Sequence, residues 1–281
     1  EAALKLHGGR MLINSINFES GEEKAEKLVA LAKQFGAGLV ALTIDEVGMG
    51  MTADRKVEIA RRLVDFCVQR GMRPGDLLID PLTFTIGSGD PALKTAAVET
   101  IEAIRRIKQE IPGVRTLLGL SNISFGLKPA ARKVLNTVFL DRCVKAGMDA
   151  CIINTSALVA LTDLAPAAVT LAERLLDNDA AQGDPLEVYI QHFETTSPEE
   201  EAAAEAALQT PAEQVQAALV KGKAALLADS VPALLAEMAA EDVLNNHLIP
   251  GMKEVGRLFN DGILQLPFVL KSAEVMKKAV D

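Results

Sequence analysis

An apolar run that stops at small polar residues and gives way to a helical pattern recurs five times before residue 177. Nothing else in the sequence limits the fold so tightly. The runs lie at 11–16, 39–44, 77–79, 116–120 and 150–153, and the helical patterns after them close near Gly36, Gly71, Ile111, Gly147 and Leu176. Their spacing of about 28 to 39 residues is that of βα repeats. The runs are rich in Leu, Ile and Val and do not alternate with polar residues, so each strand is expected to be covered on both faces. A parallel α/β sheet or barrel follows. Local signals mark the helix starts: Ser20 with Glu23 has the pattern of a capping box, Thr52 stands as an N-cap, and Asp90-Pro91 opens the third helix.

In such a sheet the chemistry sits at the carboxyl ends of the strands. Asn14-Ser15, Asp45-Glu46, Asp80-Pro81, Ser121-Asn122 and Asn154 each lie at or just past one of those ends. Any one of them alone reads as a turn or helix-entry residue. Together, one set per unit, they are expected to converge on a single mouth. The fourth run is the most informative, because Leu117-Leu118-Gly119-Leu120 halts at Ser121-Asn122-Ile123-Ser124-Phe125-Gly126. Ser121, Asn122 and Ser124 donate and accept hydrogen bonds without carrying charge, which suits a polar heterocycle better than a phosphate. On spacing alone, Asn122 serves equally well as a residue that shapes the turn.

Composition narrows the partners. Lys and Arg total 29 against 38 Asp and Glu, a net charge of −9, which disfavours a phosphate-backbone partner such as nucleic acid. Aromatic residues are 4% with no Trp, leaving few surfaces on which bases could stack. No apolar run reaches membrane-spanning length, and the first residues do not read as a signal peptide. Cys67, Cys143 and Cys151 are far apart within apolar segments. That pattern argues against a disulfide framework or zinc site and for buried thiols in a reducing cytoplasm.

Beyond residue 177 the pattern changes. A polar loop and a short helix around 186–193 lead into an acidic, Ala-rich stretch without an apolar face. It reads as a linker, taken as 196–209, between a domain at 1–195 and another at 210–281. Thr210 and Glu213 form a second capping box, with Pro211 at the first helical position. Helices are expected at about 211–228, 231–240, 242–258 and 267–280, a small four-helix bundle punctuated by Pro232, Pro250 and Pro267.

These motifs resemble those of the pterin-dependent, corrinoid-linked methyltransferases, the family of the cobalamin-dependent methionine synthases. Ser121-Asn122-Ile123-Ser124-Phe125-Gly126 is similar to that family's Ser-Asn-Val-Ser-Phe-Gly signature. Asn14-Ser15-Ile16, Asp45-Glu46 and Asp80-Pro81 match further strand ends, and Gly256-Arg-Leu-Phe-Asn-Asp-Gly262 with Leu266-Pro267 matches the helical cap. The resemblance implies that residues 1–195 are the last five βα units of a (β/α)8 TIM-type pterin-binding barrel, lacking its first three units. It implies that 210–281 are a helical cobalamin cap domain. Two family features have no counterpart here: a pterin-binding Asp on an earlier strand, and the cobalt-ligating Asp-x-His-x-x-Gly motif of the domain that follows the cap. His7, His192 and His247 lack that context and read as surface or packing residues, so no metal site is expected.

The implied activity is transfer of a methyl group from N5 of methyltetrahydrofolate to cob(I)alamin. By resemblance Asn122 is the catalytic residue and meets N5, while Asn14 and Asp80 clamp the edge of the pterin. Asp45, Ser124 and Asn154 are implied as lining groups. Arg132 matches an arginine that contacts the substrate's glutamyl tail, across a loop about two residues longer than is usual in the family. Phe259 and Leu266 would shield the upper face of the corrin, although Phe and Leu at such positions are usually bundle core. Cobalamin is then a cofactor touched only by the cap, and methyltetrahydrofolate is the substrate. The expected partners are the cobalamin-binding and homocysteine domains of the same enzyme, and the chain alone is expected to be inactive. Two other classes stay open: a stand-alone pterin enzyme, either a methyltransferase or a dihydropteroate synthase, and a non-catalytic docking module.

Overall fold

The structure is a computed structural model that describes residues 1–155, 158–193, 210–261, 264 and 266–280; the linker expected at 196–209 lies outside them. In chain order the strands are β1 (Leu12–Ile16), β2 (Gly38–Leu42), β3 (Ile44–Asp45), β4 (Gly48–Met49), β5 (Leu77–Asp80), β6 (Arg115–Gly119) and β7 (Ala150–Ile152). Five of them form one sheet in the order β1-β2-β5-β6-β7, and every pairing in it is parallel. Successive βα units are therefore sheet neighbours without the reversal of order that marks a doubly wound sheet.

The second strand stops two residues short of its expected end at Ile44. The Thr43 N–H still completes the ladder to β5 by donating to the Asp80 carbonyl at 3.1 Å, but the Thr43 carbonyl accepts from Gly50 N–H at 2.9 Å and so turns away from the sheet. The chain beyond then folds into the antiparallel β3–β4 hairpin, which hydrophobic periodicity does not signal.

Helices α1 (Ala2–Leu6), α2 (Glu22–Phe35), α3 (Ala53–Gln69), α4 (Ala96–Glu110), α5 (Pro129–Ala146) and α6 (Pro166–Leu176) complete this part of the chain. Thr52 caps α3 as expected, its side chain accepting from Arg55 N–H at 3.3 Å. The capping box at Ser20 does not form. Gly21 takes the N-cap position at φ 79 without a side-chain bond, and its N–H closes a turn onto the Phe18 carbonyl at 2.9 Å, which leaves Ser20 outside the helix. The third helix begins at Ala96 rather than at Pro91, since Pro91–Leu93 is a separate 3-10 turn.

Strand periodicity sorts the sheet into two faces. Leu39, Ala41, Leu77 and Ile79 join the main core together with Val29, Leu63, Phe66 and Ile107 from the helices. The opposite face carries a separate, small cluster of Val40, Leu78 and Leu117. At both sheet edges that face is open, with Leu12 50% and Ile152 55% exposed. β5 is buried along its whole length, whereas the edge strands β1 and β7 are not.

By packing, the chain divides into two units. The first gathers Glu1–Ile86, Ala92–Ser124 and Arg132–Pro185, and the second Gly87–Pro91, Phe125–Ala131 and Leu186–Asp281. The second holds α7 (Pro185–His192), α8 (Pro211–Lys221), α9 (Leu227–Glu237), α10 (Ala240–Val243), α11 (Ile249–Asn260) and α12 (Leu266–Val280). The Thr210 capping box is formed in both directions, at 3.3 and 3.0 Å. α8 ends at Lys221, earlier than expected, because Gly222 takes a left-handed cap at φ 64. Pro232 falls inside α9 rather than at its start, since the turn Ala224–Leu226 leads the chain into that helix earlier. A π-type stretch, Leu244–Leu248, runs into the first turn of α11, where Pro250 is tolerated. Val215, Leu219, Leu227, Leu234, Leu248 and Val275 make the apolar core of this unit.

Candidate functional site

Asn14 pairs with Val40, and Val40 with Leu78. Asp80 lies two residues beyond Leu78 on β5, and Gly119 two beyond Leu117 on β6. With a side-chain period of two, Asn14, Asp80 and Gly119 share the face of Val40, Leu78 and Leu117, opposite the helix-covered one. Asp80 and Gly119 are the last residues of their strands.

Asp80 is 8% exposed. Its Oδ1 accepts from Leu82 N–H at 2.8 Å, and the Gly119 N–H also donates to the carboxylate. Burial pushes its pKa up to about 6, against the opposing pull of these donors and of Lys56. Leu82 adopts φ 65, a left-handed conformation uncommon for a bulky side chain.

Beside Asp80 lies a residue that the motifs did not reveal. Lys56 on α3 is fully buried. Its Nζ donates to the carbonyls of Pro81 and Leu82, at 2.7 and 3.1 Å, and to Thr100 Oγ1 at 2.8 Å. Burial pulls its pKa down to about 7, while the charges of Asp80 and Glu99 push it back up. A signal for it was present: Lys56 falls in the apolar stripe of α3, with Ala53, Ala60 and Leu63, where a charge is out of place.

β6 ends at Gly119 and the chain enters a 3-10 turn, Leu120–Ser124. Leu120 and Ile123 are buried and anchor the turn, while Asn122 is exposed. Asn122 Nδ2 stands 3.2 Å from where a Cβ on Gly119 would lie. The amide is thus folded back over the strand end, and Asp80 and Asn122 meet at the same glycine. Among the described residues neither Asn122 nor Asn14 has a side-chain hydrogen bond.

Ser124 is placed differently. It is fully buried, and its hydroxyl donates to Asn136 Oδ1 at 2.8 Å and accepts from Arg132 Nε at 3.2 Å. Arg132 also reaches the Ser121 carbonyl at 3.4 Å, so both residues tie the turn to α5. Asp45 is 4% exposed, accepting from Val47 N–H at 3.1 Å and pairing with Arg55. Asn154 is exposed just past β7.

In the second unit, Phe259 at the end of α11 and Leu266 at the start of α12 are half-buried, and neither belongs to the unit's core cluster. Within the same unit, Leu266 N–H donates to the Gly126 carbonyl at 2.9 Å. Gly126 has φ 93, and Leu266 fills the space that a Cβ there would need. Part of the apolar surface of Phe259 and Leu266 is thus left outside the core. His7 and His192 are exposed and His247 half-buried, and among the described residues no His, Cys, Asp or Glu cluster could hold a metal ion. Cys67 and Cys143 are buried free thiols and Cys151 is half-buried; burial pushes the Cys67 thiol up to about 12. No helix among the described residues is long and apolar enough to cross a membrane.

Residues 1–154 match the family described as pterin binding enzyme, and residues 211–281 match one described as B12 binding domain. The chain is 43% identical over 288 residues to the methionine synthase of Mycobacterium tuberculosis (strain ATCC 25618 / H37Rv), an alignment covering 100% of the chain and 24% of that protein. It is 40% identical over 288 residues to the methionine synthase of Mycobacterium leprae (strain TN), with the same coverage. The chain thus spans 24% of the length of these curated relatives.

Proposed function

The chain belongs to the pterin binding enzyme family, and on that premise we propose that it binds methyltetrahydrofolate and passes its methyl group to a corrinoid, as one part of a methionine synthase. The observation that carries this reading is the convergence of Asp80 and Asn122 on Gly119, on the sheet face that also bears Asn14. A buried carboxylate can accept paired N–H bonds from an amino-pyrimidinone edge. An amide whose hydrogen bonds are uncommitted can follow the change of charge at a ring nitrogen, donating or accepting without being charged itself.

Asp80 and Asn14 hold and orient the pterin in this scheme. Asn122 meets N5, whose amine is a poor leaving group until a proton or a hydrogen bond stabilises its developing charge. Ser124, Asn136 and Arg132 keep the Asn122 turn in place, with Asp45 and Asn154 at the rim. A bound corrinoid would supply the reduced cobalt that accepts the methyl group. Phe259 and Leu266 would meet its apolar surface and exclude water.

The open face of the sheet supports reading residues 1–195 as the last five units of an eight-stranded barrel. Leu12 and Ile152 are then interior residues that further strands cover. Residues 210–281 act as the cap, and the cobalamin-binding and homocysteine domains of the same protein are its partners.

Calorimetry with methyltetrahydrofolate on the natural full-length protein tests the proposal. Asp80→Asn and Asn14→Ala are expected to weaken binding about tenfold or more each. A protein with no pterin affinity is a docking module and overturns the reading.

A further inference from the structure

We propose that Lys56 is the positioning residue for Asp80, its ammonium holding the Pro81–Leu82 turn and serving as the buried countercharge that keeps the carboxylate ready for the pterin. This rests on the reading of Asp80 as a pterin-clamping group and goes beyond it, since Lys56 belongs to no motif of the site.

The hydrogen bonds set the protonation state. Lys56 Nζ faces the Pro81 carbonyl, the Leu82 carbonyl and Thr100 Oγ1. Thr100 directs its own hydroxyl hydrogen to the Leu82 carbonyl at 3.0 Å, so its oxygen meets Lys56 as an acceptor. Three acceptors match the three N–H bonds of an ammonium, whereas a neutral amine would turn a lone pair toward one of them.

Packing does not explain the residue. A fully buried charge is costly, and an apolar side chain of the same length would fill the space without that cost. The connection to the site runs through one residue. Leu82 accepts from Lys56 through its carbonyl and donates to Asp80 Oδ1 through its N–H. The left-handed conformation that points both groups correctly, φ 65, is one leucine rarely adopts unaided.

The ionisable groups facing Lys56 are Asp80 on β5 and Glu99 on α4. Glu99 is engaged at the start of α3, its Oε2 accepting from Ala53 N–H at 2.6 Å. Among the described residues Asp80 has no ion pair within contact distance, and Lys56 is the cation that favours its charged form. Pterin binding needs Asp80 ionised and Lys56 protonated. With burial raising the first to about 6 and lowering the second to about 7, affinity rises with pH through about 6 and falls again above about 7.

The experiment is titration calorimetry of methyltetrahydrofolate on the natural full-length protein from about pH 5 to 9, comparing wild type, Lys56→Met, Asp80→Asn and Thr100→Val. The ligand titrates identically in every series, so differences between profiles belong to the protein. Lys56→Met is expected to bind about tenfold more weakly near pH 5, where one unit of upward carboxylate shift cuts the ionised fraction about tenfold, and roughly twofold more weakly near neutrality. Its acid limb moves to higher pH and its alkaline limb disappears. A purely structural lysine would lower affinity evenly and move neither limb. An unchanged profile in folded Lys56→Met, with binding lost in Asp80→Asn, overturns the proposal and leaves the Asp80 reading intact. Full affinity in Asp80→Asn overturns that reading instead. Should Lys56→Met not fold, Thr100→Val decides: removing one acceptor from the ammonium moves the alkaline limb to lower pH, and an unmoved limb overturns the proposal.

Discussion

Replacing Asn122 by Ala separates catalysis from binding and from folding within one residue. Its side chain is exposed and makes no hydrogen bond among the described residues, so truncation loses neither burial nor an internal bond. Stability is therefore expected to stay within about 0.5 kcal/mol of wild type. Pterin affinity should fall by no more than the net worth of one hydrogen bond, about 1 kcal/mol or roughly fivefold. The rate should fall much further. A donor that meets charge as it develops is worth about 2.7–4 kcal/mol, or roughly 10²–10³-fold in the transfer step. The assay is single-turnover methyl transfer from methyltetrahydrofolate to cob(I)alamin in the natural full-length protein, with calorimetric affinity and thermal unfolding measured on the same samples. Equal losses in rate and affinity would make Asn122 a plain binding residue. A fall of several degrees in Tm with proportionate loss of both would make it a turn former.

Gly119→Ala places a methyl 3.2 Å from Asn122 Nδ2; displacing that amide should slow transfer roughly tenfold or more while the Tm holds, and an unaffected rate would remove Asn122 from the strand end. In the second unit, Leu219→Ala empties a fully buried core position and should cost about 2–5 kcal/mol. Phe259→Ala, half-buried outside that cluster, should cost far less but alter the photolysis rate of bound methylcobalamin; the opposite pattern makes Phe259 core. Thr210→Ala removes the side-chain acceptor of a capping box while its backbone N–H bond to Glu213 stays, and should lower stability by about 1 kcal/mol in denaturant titration, with no change expected in pterin affinity. Lys56 has a native pKa near 7, below its unfolded value. Between about pH 7 and 10 the unfolded chain therefore holds a proton that the native one has released, so stability from this group rises with pH, and Lys56→Met should flatten that rise.

Much of the first unit was legible because strand ends and helix starts are local. The apolar runs at 77–79 and 116–120, the cap at Thr52 and the polar turn at 121–124 are decided by residues within a few positions of one another. The Thr210 capping box formed for the same reason, while Ser20 and Glu23 carry the same pattern without forming one. There the contest was between the box and a Phe18–Gly21 turn, and Gly21 accepts the φ of 79 that turn needs. The β3–β4 hairpin was illegible because its strands, Ile44–Asp45 and Gly48–Met49, are two residues each, too short for a period of two to show.

From the sequence alone come the repeat, the helix starts at Thr52 and Thr210, the neutral chemistry of Ser121-Asn122-Ile123-Ser124 and the polar set at the strand ends. All of these follow from periodicity and from side-chain type. Only the tertiary structure decides how that set is divided. Ser124 and Arg132 turn inward to hold a loop, Asp45 is paired with Arg55, and Asp80, Asn122 and Asn14 remain on the open face. Only there, too, does Lys56 meet the Asp80 turn, across 25 residues of chain. The reason is physical: whether a polar side chain serves a ligand or the protein depends on which partners the fold brings within hydrogen-bonding distance, and those partners come from other βα units.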